Sequence, residues 1–146
     1  MPNCRWVTIT DMSRHKVFSL PVRVYFQDTD AGGVVYHANY LNFMERTRTE
    51  WLRSYGYSNA GLMKEFGAVF VVRSMKLDYL KPALLDDGLD VTVQIREIGR
   101  SRISLQQTVR RGDELLTEAE VHLVCVSVES FKPVSVPEVL RKMLQY

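Results

Sequence analysis

The spacing of apolar residues changes from helical to alternating just after the first third of the chain. Between Tyr40 and Tyr55 apolar side chains recur every three or four positions, which predicts an amphipathic helix that Gly56 ends. The stripe that this helix would bury comprises Tyr40, Met44, Thr47, Trp51 and Tyr55, widened by Leu41, Phe43 and Leu52. Before it, the β-branched and aromatic run Val17–Phe26 predicts a strand, in which Pro21 marks an edge or a bend.

Beyond Gly56 the pattern is typical of strands as far as residue 128, with no further helix expected there. Apolar residues alternate with polar ones in four segments, Val69–Leu80, Leu89–Arg96, Ile103–Val109 and Leu115–Val128. Along the first of these, one face would hold Val69, Val71, Met75, Leu77 and Tyr79. The turn dipeptides that separate these four segments are Asp87-Gly88, Gly99-Arg100 and Gly112-Asp113. Because short turns join antiparallel neighbours, we predict one antiparallel sheet of about five strands.

A second, shorter helix is predicted near the C-terminus. Ser135 and Glu138 have the spacing of a capping box. The stripe buried behind it would be Val139, Leu140, Met143 and Leu144. One long helix beside one antiparallel sheet is an α+β arrangement. We therefore expect a loose lead-in over residues 1–16 and a single α+β domain over residues 17–146.

Length and composition fit a globular domain with a real core. Of 146 residues, 46% are hydrophobic and 25% are charged, and the formal net charge of +2 is too small to indicate nucleic acid as the main partner. No run of roughly 18 apolar residues is present, so we expect no membrane span. The first 16 residues lack the apolar core of a signal peptide. Cys4 and Cys125 have no histidines at metal-ligand spacing, so we expect no metal site and a cytoplasmic location.

The last predicted strand is apolar on both faces over its second half. The residues concerned are Leu123 and Cys125 on one face and Val124 and Val126 on the other. Such a strand should be covered on both faces, and the chain has few helices to do so. We therefore expect a homodimer or a homotetramer. Arg73, which interrupts an otherwise apolar strand face, is a candidate for an ion pair at the subunit interface.

The candidate chemistry lies between the first strand and the long helix. Residues 28–40 read Asp-Thr-Asp-Ala-Gly-Gly-Val-Val-Tyr-His-Ala-Asn-Tyr. An acid, a tight turn and the positive end of a helix make a compact site for attacking a carbonyl and holding its oxyanion. Taken alone, Asp30 is more often a turn aspartate that bonds its own backbone. Asp28 is expected to be the structural member of the pair, accepting from turn amides.

Residues 22–40 resemble the active-site signature of hot-dog-fold acyl-CoA thioesterases of the 4-hydroxybenzoyl-CoA thioesterase family. The run from Asp28 to His37 is most similar to the YbgC-type branch, whose members are associated with the Tol–Pal cell-envelope system. Residues 77–83 and 86–89 also resemble the family's second strand and turn, and the resemblance covers Val22–Val128. It implies a long central helix wrapped by an antiparallel sheet of about five strands, and a possible association with cell-envelope or lipid-synthesis proteins.

The same resemblance assigns roles around the turn. Asp30 would attack the thioester carbonyl or activate a water, and these two routes stay open. The backbone N–H of His37 would polarise the thioester oxygen. Tyr36 and Val35 would shape the thioester pocket, and Gly33 would permit the turn.

Coenzyme A carries phosphates, which need basic residues near the pocket mouth. Arg100, Ser101 and Arg102 form a hairpin that the resemblance places near the cofactor. A solvated charged hairpin is an equally good interpretation. Arg110 and Arg111 end the same strand roughly 33 Å away, so the two pairs cannot hold one phosphate cluster within a single chain.

These observations favour hydrolysis of an acyl-CoA thioester without metal or redox cofactor. A hydratase or dehydratase acting on 3-hydroxyacyl thioesters is disfavoured, because the proline-rich helix entry of such enzymes is absent from residues 36–41. A non-catalytic acyl-thioester-binding or scaffolding subunit is the remaining alternative. The acyl chain preferred by the protein cannot be derived from one sequence.

Overall fold

Within the residues that the structure describes, 5–7 and 16–145, a six-stranded antiparallel sheet packs one face against a 16-residue helix. This computed structural model has, in chain order, β1 (Arg5–Val7), β2 (Val17–Arg23), α1 (Asn39–Ser54), α2 (Asn59–Phe66), β3 (Ala68–Tyr79), β4 (Gly88–Ile98), β5 (Arg102–Arg111), β6 (Glu114–Ser127) and α3 (Glu138–Leu144). The strand order is β1-β2-β4-β5-β6-β3, with antiparallel neighbours. The predicted α+β class is confirmed, with five long strands and the three-residue β1.

The long helix forms because its apolar side chains share one face. Phe43 and Met44 are almost completely buried, and the other buried members are Tyr40, Thr47, Trp51 and Leu52. Gly56 ends the helix as predicted, with φ +88° and its N–H donating to Arg53 O. Leu41 does not belong to the buried stripe, because it is 40% exposed. No helix in the described part of the chain is long and apolar enough to cross a membrane.

Two elements were absent from the sequence prediction. The lead-in is not wholly loose, since β1 pairs with residues 17–19 of β2, while residues 1–4 and 8–15 lie outside the described part. The helix α2 follows α1 where only strands were expected. It is capped by Ser58, whose Oγ accepts from Gly61 N, and by Gly67 with φ +61°. Leu62 is its only buried residue, so eight residues carry too little helical periodicity to be recognised.

A bulge in β3 makes the predicted alternation of that strand wrong. The pairing register with β6 shifts between Val72 and Ser74, which leaves Arg73 as an extra residue. Before the bulge Phe70 packs against the core, and after it Met75 does so. Even-numbered and odd-numbered residues therefore exchange faces along this strand. Val69 and Val71 do not share the face of Met75, Leu77 and Tyr79.

The C-terminal helix is present, but its predicted capping box is wrong. Pro137 precedes the helix, and the Ser135 hydroxyl accepts instead from Arg100 Nε at 2.9 Å. Leu140 and Leu144 are buried as expected. The other two predicted members of the stripe, Val139 and Met143, are exposed.

The second half of β6 is covered within the single chain, so the predicted need for a second copy there is wrong. Val124 and Val126 on its second face are already buried in the single chain, at 9% and 4% exposure. Val126 forms a bridge with Pro133, so the returning C-terminal segment lies beside that strand. A reason for a second copy has to come from another surface.

The burial of α1 predicts a large difference between two neighbouring substitutions. We expect Phe43→Ala to lower the free energy of unfolding by about 3–5 kcal/mol, because the side chain is 1% exposed and leaves a cavity. Leu41→Ala should change it by less than about 0.5 kcal/mol. Urea unfolding followed by circular dichroism measures both. Equal losses in the two variants would contradict the described orientation of α1.

Candidate active site

The turn between β2 and α1 is a closed loop held by its own backbone. The strand β2 ends at Arg23, earlier than predicted, because residues 26–28 form a 3₁₀ turn. Asp30 N then donates to Val34 O at 2.9 Å, and Gly33 N donates to Asp30 O at 3.0 Å. Gly33 has φ +80°, a conformation that residues with a side chain rarely adopt. The glycine pair therefore closes the turn, as the sequence indicated.

Asp28 holds the two ends of this turn together. Its buried carboxylate accepts from Tyr25 N at 2.8 Å and from Asn39 Nδ2 at 3.0 Å. Its backbone oxygen accepts from Tyr36 N at 2.9 Å. The structural role expected for Asp28 is therefore observed. Asn39, the first residue of α1, is a positioning residue that was quoted in the motif but not singled out from the sequence.

Asp30 presents its carboxylate outwards. Its Oδ1 accepts from Gly32 N at 2.8 Å, which fixes the side chain over the turn, and the residue is exposed in the single chain. Gly32 matters for this contact because an added Cβ would lie 3.2 Å from Oδ1. Among the described residues nothing bonds to Oδ2, so this oxygen can accept a proton or attack a carbon.

His37 supplies an amide at the start of α1. Within the described part of the chain its backbone N–H donates to no acceptor, and the N-cap residue Ala38 makes no side-chain cap. The His37 carbonyl oxygen, in the next peptide unit, accepts from Tyr79 Oη at 2.8 Å, which holds the backbone on the helix side of this residue. The imidazole is exposed and packs on the Tyr36 ring at a centroid distance of 4.4 Å. The free amide therefore stands at the positive end of the helix.

A segment between β3 and β4 supports the turn from behind. Val35 N donates to Ala83 O at 2.9 Å, and Ala83 N donates to Tyr40 Oη at 3.0 Å. Val34 forms a bridge with Leu84. The Val35 side chain is buried in the core, so it packs beneath the turn. We call residues 81–87, which include these contacts, the supporting segment.

Arg111 fixes the supporting segment by ion pairs. Its guanidinium lies 2.6 Å from Asp87 Oδ2 and 2.6 Å from Glu114 Oε1, and Lys81 Nζ lies 2.8 Å from Glu114 Oε2. Hydrogen bonds from Lys81 and then Arg111 hold the pKa of the Glu114 carboxyl below its usual range. Asp87 Oδ2 also accepts from Leu84 N. Arg111 thus belongs to the framework of the turn, a role that the sequence did not indicate.

Two tyrosines line the helix side of the turn and remain neutral phenols. Burial raises the pKa of Tyr40, partly offset by the hydrogen bond from the Ala83 amide. Burial also raises the pKa of Tyr79, with Tyr40 as a second cause. Their ring centroids lie 5.4 Å apart. Tyr79 falls in the segment 77–83 that carried part of the family resemblance, which is the signal that could have identified it.

The hairpin predicted to bind phosphates lies at the far end of the sheet. Arg100 donates to Ser135 Oγ, and Ser101 O accepts from Cys125 N at 2.7 Å. Arg102 lines a cavity on the face of the sheet away from α1. The 11-residue β4 separates this hairpin from the catalytic turn by roughly 33 Å. Within one chain these residues are therefore not brought to Asp30, and their predicted role stays a prediction.

A long helix enclosed by an antiparallel sheet, with an acid-bearing turn at the start of the helix, defines the hot-dog fold of thioesterases. Residues 24–144 match the family model of the thioesterase-like superfamily, and the chain belongs to that family.

Several relatives of this chain have names that state an enzymatic activity. It is 45% identical over 121 residues to acyl-CoA thioesterase YbgC of Haemophilus influenzae, covering 83% of this chain and 89% of that protein. It is 49% identical over 123 residues to acyl-CoA thioester hydrolase YbgC of Escherichia coli O157:H7, covering 84% and 91%. A solved structure of a probable thioesterase from Bartonella henselae superposes with a TM-score of 0.79 at 35% identity, covering 83% of this chain and 99% of that one.

The geometry of the turn predicts that a side chain at Gly33 strains the backbone. We expect Gly33→Ala to destabilise the fold by about 1–2 kcal/mol, because alanine is strained at φ +80°. Gly99→Ala is the matched control, since its Cβ would make only an ordinary contact of 3.6 Å with Arg102 O. Thermal unfolding of both variants measures the difference. A Gly33→Ala protein as stable as the control would contradict the described turn.

Proposed function

We propose that this chain is an acyl-CoA thioesterase that hydrolyses an acyl-CoA to the free acid and coenzyme A, with Asp30 and the His37 amide as its catalytic groups. The observation that carries the proposal is the His37 N–H at the start of α1, which has no acceptor among the described residues and lies beside the turn that presents Asp30. A thioester carbonyl has little resonance stabilisation, so one carboxylate and one oxyanion donor suffice. The names of the relatives support the same chemistry.

In the reaction, the thioester oxygen accepts a hydrogen bond from His37 N–H and becomes negatively charged as the carbonyl carbon is attacked. One such donor is worth roughly 3–4 kcal/mol in the transition state. By the first route Asp30 takes a proton from the attacking water. By the second, Asp30 forms a mixed anhydride that water then cleaves. In both routes the C–S bond breaks and the coenzyme A thiolate leaves.

The surrounding residues position the substrate. The half-exposed ring of Tyr36 lies beside the His37 imidazole and forms a wall of the thioester pocket, while Val35 packs below it. Gly33 has no side chain, so the acyl group can pass close to the backbone at this position. The hairpin residues Arg100, Ser101 and Arg102 would bind the phosphates of a coenzyme A that is held in the site of a neighbouring copy. The Asp30 turn of their own chain is too distant.

A second copy is supported by the free edge of the sheet. Among the residues that the structure describes, the 12-residue β3 pairs with β6 on one side only, and a long unpaired edge is a template for another strand. Beside it lies a shallow cavity of about 160 Å³ between α1 and β3. Its apolar lining is formed by Trp51, Leu52, Phe70, Val72 and Leu123. We propose a homodimer in which two β3 strands pair across a two-fold axis.

This arrangement completes the site from two chains. The Tyr79 end of β3 contacts His37, whereas the Ala68 end lies near the Gly99–Arg102 hairpin through β6. Antiparallel pairing of two β3 strands sets the Ala68 end of one against the Tyr79 end of the other. The partner's hairpin then approaches this chain's catalytic turn. A neighbouring chain also covers the exposed side of Asp30.

The catalytic assignment predicts that Asp30→Asn lowers the rate of thiol release by at least roughly a hundredfold, with folding and assembly retained. Asp113→Asn, an exposed turn aspartate between β5 and β6, is the matched control and should retain full activity. The assay measures free thiol from short, long and aromatic acyl-CoAs.

Three outcomes would contradict the assignment. One is an Asp30→Asn rate equal to that of the unmodified chain, which would favour a scaffolding or acyl-binding role. Another is loss of activity in Asp113→Asn as well. The third is enoyl absorbance, rather than free thiol, from a 3-hydroxyacyl-CoA.

The proposed interface predicts that Val72→Asp produces monomers. The residue is 44% exposed at the free edge, and a charge there would be buried on pairing. Val139→Asp on α3 is the control with 43% exposure and should leave the assembly unchanged. Sedimentation equilibrium measures the mass of each variant. A dimeric or tetrameric Val72→Asp protein would overturn the β3 interface.

A further inference from the structure

The face of the sheet that points away from α1 carries a row of polar residues across four strands. Glu97 on β4 pairs with Ser104 on β5, Ser104 pairs with His122 on β6, and His122 pairs with Ser74 on β3. Their neighbours along the strands, such as Ile103, belong to the core on the opposite face. Ser104 Oγ and His122 Nδ1 lie 3.0 Å apart. Nothing in the proposed hydrolysis uses this row.

Two bulges bring further charged groups to the same place. In β3 the extra residue Arg73 precedes Ser74, and both line one cavity, whereas successive residues of a regular strand point to opposite faces. In β4 the register shifts between Ile95 and Glu97, which moves Glu97 from the core side to the outer side. Bulges that re-aim side chains are common beside binding sites.

The cavity at this row has a volume of about 430 Å³. Its chemistry comes from Arg73, Ser74, Glu97, Arg102, Ser104 and His122. In the part of the chain that the structure describes, neither Arg73 nor Arg102 forms an ion pair or a side-chain hydrogen bond. Glu97 lines the same cavity but is not within salt-bridge distance of either guanidinium. Two guanidinium groups thus stand without an ion-pair partner around one concave surface, beside two serine hydroxyls and an imidazole.

We propose that this outer cavity binds the phosphomonoester group of a small hydroxyl-bearing ligand such as a nucleotide. Arg73 and Arg102 match a phosphate by bidentate hydrogen bonds, and the hydroxyls of Ser74 and Ser104 donate to its remaining oxygens. The carboxylate of Glu97 repels a second anionic group and instead accepts a hydrogen bond from a hydroxyl of the ligand. The cavity therefore does not suit a large ligand that carries negative charge along its whole length. The phosphate therefore lies at the arginine side of the cavity.

The outer cavity is a separate site from the Asp30 turn of its own chain, and it shares Arg102 with the hairpin proposed to bind the coenzyme A phosphates of a neighbouring copy. It lies on the opposite face of the sheet from α1 and at the opposite end of β4 from the supporting segment. Its ligand chemistry has two sources, the 3′-phosphate of coenzyme A and a free phosphorylated metabolite. The inference holds for either source and does not require that Asp30 perform hydrolysis.

Titration calorimetry on the full chain tests the proposal with four probes: coenzyme A, dephospho-coenzyme A, adenosine 3′,5′-bisphosphate and inorganic phosphate. We expect Arg73→Gln to weaken binding of adenosine 3′,5′-bisphosphate at least tenfold, since a charge-assisted hydrogen bond is lost. Arg96→Gln is the control, because it removes the same charge at the neighbouring bulge without lining the cavity. That control should change the affinity by less than about twofold.

The probes separate the sources of the phosphate. An Arg73-dependent preference for coenzyme A over dephospho-coenzyme A assigns the cavity to the 3′-phosphate. Equal Arg73-dependent binding of inorganic phosphate assigns it to a free phosphorylated ligand. Absence of millimolar binding by any probe overturns the proposal, as does equal weakening by Arg73→Gln and Arg96→Gln. Since none of the probes is a thioester, these results are independent of thiol release by Asp30→Asn.

Discussion

The buried carboxylate of Asp28 is the contact on which the candidate site depends. It joins the chain leaving β2 to the first residue of α1 by accepting from Tyr25 N and Asn39 Nδ2. A buried carboxylate is costly unless its oxygens find donors, so these two bonds define one geometry for the turn between them. Asp30 and His37, which lie on either side of the glycine pair, take their positions from that geometry. Asp30, the acid proposed to act, is thus exposed, and Asp28, the acid that positions the turn, is buried.

Support for this contact comes from a distant part of the sequence. The supporting segment touches the turn through Ala83 and Leu84, and Arg111 fixes that segment through Asp87. Tyr79 adds a hydrogen bond to the His37 carbonyl from the end of β3. The geometry of the turn is therefore set by contacts from β3, β5, α1 and the supporting segment together.

Much of the architecture could be predicted because its signals are periodic. The helix α1 buries a continuous stripe, and the strands β4 and β5 alternate cleanly, so both were identified from spacing alone. The helix α2 was missed because it buries only Leu62, and the face of β3 was misassigned because one inserted residue at Arg73 reverses the alternation. The cap of α3 failed because Arg100, remote in sequence, takes the Ser135 hydroxyl. Only in the last of these places does a tertiary contact override the local pattern; α2 and β3 carry too weak or too irregular a periodicity.

The candidate site was likewise predictable in one part and not in another. The motif of residues 28–40 placed Asp30, Gly33 and His37 correctly in one turn, because those residues are neighbours along the chain. The hairpin of Arg100 and Arg102 is not brought to that turn within one chain, and only the proposed second copy would relate the two. The spacing of residues in a sequence gives only their distance along a strand. Within one chain, the 11 residues of β4 separate the hairpin from the turn.

The extra residue at Arg73 has a consequence for how the protein behaves in a crowded solution. A flat, regular sheet edge would pair with any extended segment and could seed fibres. An irregular edge pairs only with a few complementary strands. The bulge at Arg73, near the middle of the β3 edge, restricts the registers in which another strand can pair with it. The same irregularity that aims a guanidinium outward therefore also protects the chain against uncontrolled polymerisation.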